Sequence, residues 1–326
     1  MILKKQDLPF LVSIIKIWDY APHNALTDLI RFKDKWYLVF RESDSHVKGA
    51  DGTIRLLASR DAIIWKPVAL FHEDGIDLRD PKLSVAPDGR LMLLMGGTLY
   101  SEQQEYVAHQ SRVSFSNDGI LWSIPIPILH PHEWLWRVTW HQGIAYGVAY
   151  RFSDPTDRKQ EWLVALYKSR DGIHYQKVVN WDIPGYPNET TLRFTKNEEL
   201  IALVRRDKRH DSYAWIGKSF PPYKEWEWLS SKYYFGGPNF IILPSGKRWA
   251  AGRIVSRTPY GEYEKTVVAK LTGKGLFPVL VLQSGGDTSY PGMVYFKEHL
   301  WISYYSSHEG HAAIYLAKVQ LPSDFS

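Results

Sequence analysis

The sequence predicts an all-β fold: a six-bladed β-propeller with four-stranded antiparallel blades, closed by the N-terminal strand in the last blade. Three observations carry this. Short apolar or alternating runs such as "KWYLVF", "TIRLLAS", "ELIALVRR" and "AAIYLAKVQL" dominate, divided by Asp-Gly, Pro-Gly and Gly-Gly turns, and no long helical period interrupts them. A second pattern, polar cluster then strand, turn and strand, recurs six times, marked by Asp28, Asp80, Arg137, Glu189, Asn239 and Tyr290 at spacings of 52, 57, 52, 50 and 51 residues. A period of this length is the signature of propeller blades. Third, a Ser-x-Asp motif ending in an aromatic residue appears three times, as "SRDAIIW", "SNDGILW" and "SRDGIHY", with serines at 59, 116 and 169.

The six repeating units account for the whole chain, so residues 1–326 are expected to form one propeller domain, with no sequence left for a seventh blade. The sixth unit ends at its third strand, "AAIYLAKVQL", a few residues before the C-terminus. Its missing outer strand is supplied by the N-terminal run from Leu8 to Trp18, which removes an exposed sheet edge. That run contains Pro9 and Ser13 and precedes no small-residue cleavage site, so it reads as a strand rather than a secretory leader. The compartment stays open, with the cytoplasm favoured and a processed secreted or periplasmic start as the alternative. Each Ser-x-Asp motif follows a third strand, where Ser and Asp side chains bond local backbone and the aromatic packs between sheets. These are turns that hold the chain, not chemistry.

Composition narrows the function. The chain is 44% hydrophobic and 23% charged, which suits a packed domain rather than disorder. Its net charge of +5 is spread along the chain, so no basic stripe for nucleic acid is formed. No run of apolar residues is long enough for a membrane span. The absence of cysteine removes disulfides, thiolate metal sites and Cys nucleophiles. His308 and His311 have no third partner at metal-ligand spacing, and no phosphate loop or metalloprotease motif occurs, so no cofactor and no metal are expected. Aromatic residues make up 14% of the chain, including 14 Trp, a composition suited to strands and to sugar-stacking surfaces.

Antiparallel topology puts the starts of the inner strands and the ends of the second strands on one face. There the sequence collects His23, Asn24, Arg41, Arg79, Asp80, Arg137, Asn188, Glu189, Arg205, Asn239, Arg253, Tyr290, Tyr304 and His308. Charged side chains crowded near a propeller axis must be paired or used.

The three motifs match Asp boxes, and with them the chain resembles the sialidase (neuraminidase) superfamily of six-bladed propellers. Ala62 replaces the usual Gly in the first box and Tyr175 the usual Trp in the third. "PNETTLRFTKNEELIALVRR" resembles that family's segment with the activating Glu and a substrate-binding Arg, and "TSYPGMVYFKEHLWISYYS" its segment with the nucleophilic Tyr. The resemblance therefore implies a retaining exo-glycosidase acting on a terminal sugar, with Tyr290 as nucleophile and Glu189 as its base. It also implies that Arg205 and Arg253 bind substrate, with Arg206 the alternative to Arg205. Asp51 is implied as the acid/base residue, with Asp44 and Asp80 as alternatives. Arg41, Arg79, Asp80, Arg137, Asn188, Asn239, Tyr304 and His308 complete the expected glycan-binding face. The family's first carboxylate-binding Arg is missing, since Asn24 stands in its place, so the sugar is acidic or neutral. The alternative reading is a glycan-binding propeller without turnover.

Overall fold

A computed structural model describes residues 8–47, 51–154, 161–208, 210–258 and 261–322. Residues 1–7, at the chain start weighed above as a leader, lie outside the described residues. Strand β1 (Phe10–Trp18) precedes five blades built consecutively. The first is β2 (His23–Phe32), β3 (Lys35–Ser43), β4 (Thr53–Ser59) and β5 (Lys66–Phe71). The second is β6 (Ile76–Val85), β7 (Leu91–Tyr100), β8 (Tyr106–Ser116) and β9 (Ile126–Ile128). Then come β10 (Trp134–His141), β11 (Ile144–Phe152), β12 (Trp162–Ser169) and β13 (Tyr175–Trp181). The fourth blade is β14 (Pro187–Phe194), β15 (Leu200–Arg206), β16 (Trp215–Ser219) and β17 (Glu227–Ser230). The fifth is β18 (Gly236–Ile242), β19 (Arg248–Thr258), β20 (Gly261–Thr272) and β21 (Gly275–Val281). The last contains β22 (Thr288–Phe296), β23 (His299–Ser306) and β24 (Ala313–Gln320), with β1 as its outer strand.

The expected fold is thus the observed one: six four-stranded antiparallel sheets, and no helix among the described residues. Closure is antiparallel, from Phe10 opposite Gln320 to Trp18 opposite Ile314. Inner strands neighbour one another in the order β2, β6, β10, β14, β18, β22 and back to β2. Six apolar clusters fill the interfaces between adjacent blades, one for each interface. Each fully buried Leu or Phe in them contributes roughly 1.5–3 kcal/mol. The interfaces are therefore what hold the ring.

The Ser-x-Asp motifs cap the strand ends remote from His23, since Ser59 pairs with Trp36 whereas His23 pairs with Ser43. Asp118 Oδ1 accepts the backbone N–H of Ile120 and Leu121 at 2.8 Å each, and Ser116 Oγ accepts that of Gly119 at 2.8 Å. Asp61 and Asp171 do the same. Gly119 sits at φ 76°, where a Cβ would stand 2.4 Å from the Tyr37 ring. Ala62 takes the equivalent position at φ 63°.

Candidate active site

Every inner strand loses its ladder register near its start. The breaks fall between Ala25 and Asp28, Arg79 and Lys82, Leu135 and Val138, Pro187 and Thr190, Gly236 and Asn239, and Ser289 and Gly292. Such bulges re-aim side chains. Here they carry Asp80, Glu189 and Tyr290, each buried. Asp80 and Tyr290 adopt left-handed backbone, φ 49° and 52°. That geometry costs a non-glycine residue about 1–3 kcal/mol and is retained where the surroundings impose it. Gly237 admits Tyr290: a Cβ there would meet the Tyr290 backbone nitrogen at 2.8 Å.

The Tyr290 hydroxyl donates to Glu189 Oε1 at 2.5 Å and accepts from Arg205 Nη1 at 3.1 Å. Arg205 Nη1 also lies 2.7 Å from the same Glu189 oxygen, and its Nε lies 3.0 Å from Asp207 Oδ1. Glu189 Oε2 accepts the Gly237 N–H at 2.9 Å, so both carboxylate oxygens are engaged. Burial, and then the Glu189 charge, hold the Tyr290 phenol well above its ordinary pKa. The phenol therefore holds its proton at neutral pH. Trp136 packs edge-on against Tyr290, centroids 5.5 Å apart.

Of the two adjacent arginines of β15, Arg205 is the one turned to Tyr290; Arg206 pairs with Asp211 at 2.7 Å and lies over Trp215. Arg41 and Arg79 share Asp77, at 2.7 and 3.1 Å. Arg137 reaches Asp28 at 2.9 Å, and Arg253 reaches Glu264 at 3.1 Å and the Tyr234 hydroxyl at 3.4 Å. Every arginine expected on this face therefore already has a carboxylate partner.

The three candidate aspartates differ in environment. Asp51 and Asp44 are exposed, whereas Asp80 is buried. Burial raises the Asp80 pKa against the opposing pull of Lys82 and Arg79, favouring a neutral carboxylic acid. Lys82 lies with its ammonium 4.6 Å from the Trp136 ring centroid, and burial, followed by the Arg137 charge, lowers its pKa to about 8.

Several expected site residues are placed elsewhere. Tyr304 turns into the packing between the fifth and sixth blades, its hydroxyl bonding the Gln283 carbonyl and its ring stacking on Tyr315; the next residue, Tyr305, faces Tyr290. The bulge of β22 between Ser289 and Gly292 lies opposite Tyr304, since Ser289 pairs with Tyr305 and Gly292 with Ser303. His308 bonds Ser306 and leans on Tyr315. Asn188 is tied to Asp207 and to the Tyr186 carbonyl, and Asn239 braces Arg193 and the Pro291 carbonyl. Asn24 is spent on the Ala21 and Ala312 carbonyls, so it does not stand in for an anion-binding arginine. Sequence reasoning missed Asp77 and Asp207. Each lies two residues from an arginine it pairs with, Asp77 from Arg79 and Asp207 from Arg205, a spacing that puts both on one side of a strand. It also missed Tyr150, which stacks on Trp162 with centroids 5.6 Å apart and feels the charges of Asp80 and Glu189.

No protein-family model matches the chain, and no curated protein does. Solved structures match over nearly its full length. A protein of unknown function from Dyadobacter fermentans shares 16% identity at TM-score 0.83, covering 96% of this chain and 99% of that one. The α-L-arabinofuranosidase Arb93A of Fusarium graminearum shares 13% identity at TM-score 0.67, covering 96% and 98%. Trypanosoma rangeli sialidase shares 10% identity at TM-score 0.65, covering 94% of this chain and 58% of its own. At these identities the likeness is one of fold: the chain has the six-bladed propeller architecture on which sialidases and this arabinofuranosidase are built.

Proposed function

We propose that this protein is a retaining exo-glycosidase acting on a terminal sugar, with Tyr290 as nucleophile, Glu189 as its base and Asp80 as the acid. The observation that carries the reading is the buried Tyr290–Glu189 hydrogen bond of 2.5 Å with Arg205 on both partners. In the first step the Tyr290 oxygen bonds the anomeric carbon as its proton passes to Glu189. The glycosidic C–O bond breaks, and the leaving oxygen takes the Asp80 proton. In the second, water donates a proton to Asp80 and its oxygen displaces Tyr290, which recovers its proton from Glu189. Asp80 is preferred to Asp51 and Asp44 because it is buried while they are exposed, and burial raises its pKa, the direction a proton donor needs.

The ion pairing argues for a neutral sugar. Arg137, Arg205 and Arg253 each have a carboxylate partner and Arg41 and Arg79 share Asp77, so a sugar carboxylate would have to compete with a pair already formed. The same pairing favours a second reading, a glycan-binding propeller in which these groups only shape a polar surface. A panel of 4-methylumbelliferyl glycosides, including the α-L-arabinofuranoside and the α-sialoside, separates them. The enzyme reading expects release from a neutral glycoside that Tyr290→Phe abolishes. No release from any member, with glycan binding equal in both proteins, supports the second reading.

A further inference from the structure

Beside this site, His23 opens β2, His46 lies between β3 and β4, and Asp287 lies just before β22. They meet although 264 and 241 residues separate the histidines from the aspartate. Asp287 Oδ2 lies 2.9 Å from His23 Nε2 and 2.8 Å from His46 Nδ1, and the three donor atoms all fall within 4.8 Å of one another. We propose that His23, His46 and Asp287 form a site for a borderline divalent transition cation such as Zn2+, with its remaining coordination positions open to solvent or to ligand hydroxyls.

The spacing suits the chemistry. Metal–ligand bonds of about 2.0–2.1 Å put neighbouring donors about 3 Å apart. Asp287 Oδ2 can accept from both imidazoles only when each carries a proton on the nitrogen facing it; a cation replaces both protons. Two imidazole nitrogens and one carboxylate oxygen favour Zn2+ and its neighbours over Ca2+ or Mg2+, which take oxygen.

The surroundings fix the ligands. Asp287 Oδ1 accepts the Tyr305 hydroxyl at 2.6 Å, and the Asp287 N–H donates to Ser307 Oγ at 2.9 Å. The His46 carbonyl accepts Arg79 Nη1 at 2.9 Å, anchoring its segment. Such supporting bonds orient metal ligands. Nearby positive charge is partly offset, since Arg253, 3.9 Å from Asp287 Oδ1, is paired with Glu264, and Arg41 and Arg79 share Asp77. His46 is 39% exposed, which leaves a path for the ion. The site does not depend on the glycosidase reading.

Calorimetric titration of the EDTA-treated full chain with ZnCl2, with and without excess CaCl2, tests the proposal. The expected result is one Zn2+ per chain, unaffected by Ca2+, and at least a tenfold weaker affinity in His46→Ala and in His23→Gln, with His311→Ala unchanged. His46 lies in a partly exposed segment outside the strands, so His46→Ala should fold, and its melting curve without metal verifies that. Co2+ in place of Zn2+ should give a visible absorption band that His46→Ala lacks. Absence of stoichiometric binding, or equal affinity in wild type, His46→Ala and His23→Gln, would overturn the proposal.

Discussion

Tyr290 and Glu189 stand 101 residues apart in sequence and 2.5 Å apart in space, joined by a buried hydrogen bond between inner strands two blades apart. The bond exists because both strands bulge at corresponding places and because Gly237, on the strand between them, leaves the room a side chain would fill. Removing either partner tests whether the contact does chemistry. Tyr290→Phe should abolish turnover with circular dichroism unchanged, and Glu189→Gln should slow kcat by about 10²–10⁴-fold. Wild-type kcat in Glu189→Gln would remove Glu189 from the mechanism.

Asp80 makes a prediction about stability with a definite sign. Burial raises its folded-state pKa above the ordinary 3.8. Below 3.8 both states hold the proton and nothing is lost. As pH rises from there, the unfolded chain releases its proton first, and stability falls until the raised folded value is passed. Asp80→Asn should therefore be more stable than wild type at pH 7, the difference vanishing near pH 3. The same variant should lose turnover on poor leaving groups far more than on activated aryl glycosides. A less stable Asp80→Asn protein at pH 7 would contradict this account of the site.

The turn motifs predict a purely structural effect. Gly119→Ala puts a Cβ 2.4 Å from the Tyr37 ring at φ 76°. It should cost roughly 1–3 kcal/mol in urea unfolding and leave ligand binding unaltered. An unchanged midpoint would mean that the turn relaxes freely.

Ring closure by β1 predicts that deleting residues 1–18 lowers the melting temperature by roughly 5 °C or more, since the deletion strips the outer edge of the last blade. An unchanged transition would show that the last blade stands without its fourth strand.

The fold was legible because its determinants are periodic. The six polar-then-strand segments and the three turn motifs recur at near-constant spacing, and the unit ending at Gln320 visibly lacks a strand that only the N-terminus could supply. The site was legible where a local pattern survives, as at Glu189 and Tyr290. It was hidden where one-residue register decides. Tyr304 and Tyr305 look alike in sequence, and only the latter faces Tyr290. Asp287 and His46 lie outside regular strands and meet only on closure of the ring, so no spacing in the chain announces them.

The most direct test of the central claim is mass spectrometry of the protein after reaction with a fluorinated, activated glycoside of whichever sugar the panel identifies, followed by proteolysis. Fluorine beside the anomeric centre slows hydrolysis of a covalent intermediate. The account predicts a one-sugar adduct on the peptide containing Tyr290, localised to its side chain and absent from Tyr290→Phe. An adduct on any other residue, or turnover of the parent glycoside by Tyr290→Phe at the wild-type rate, would contradict it.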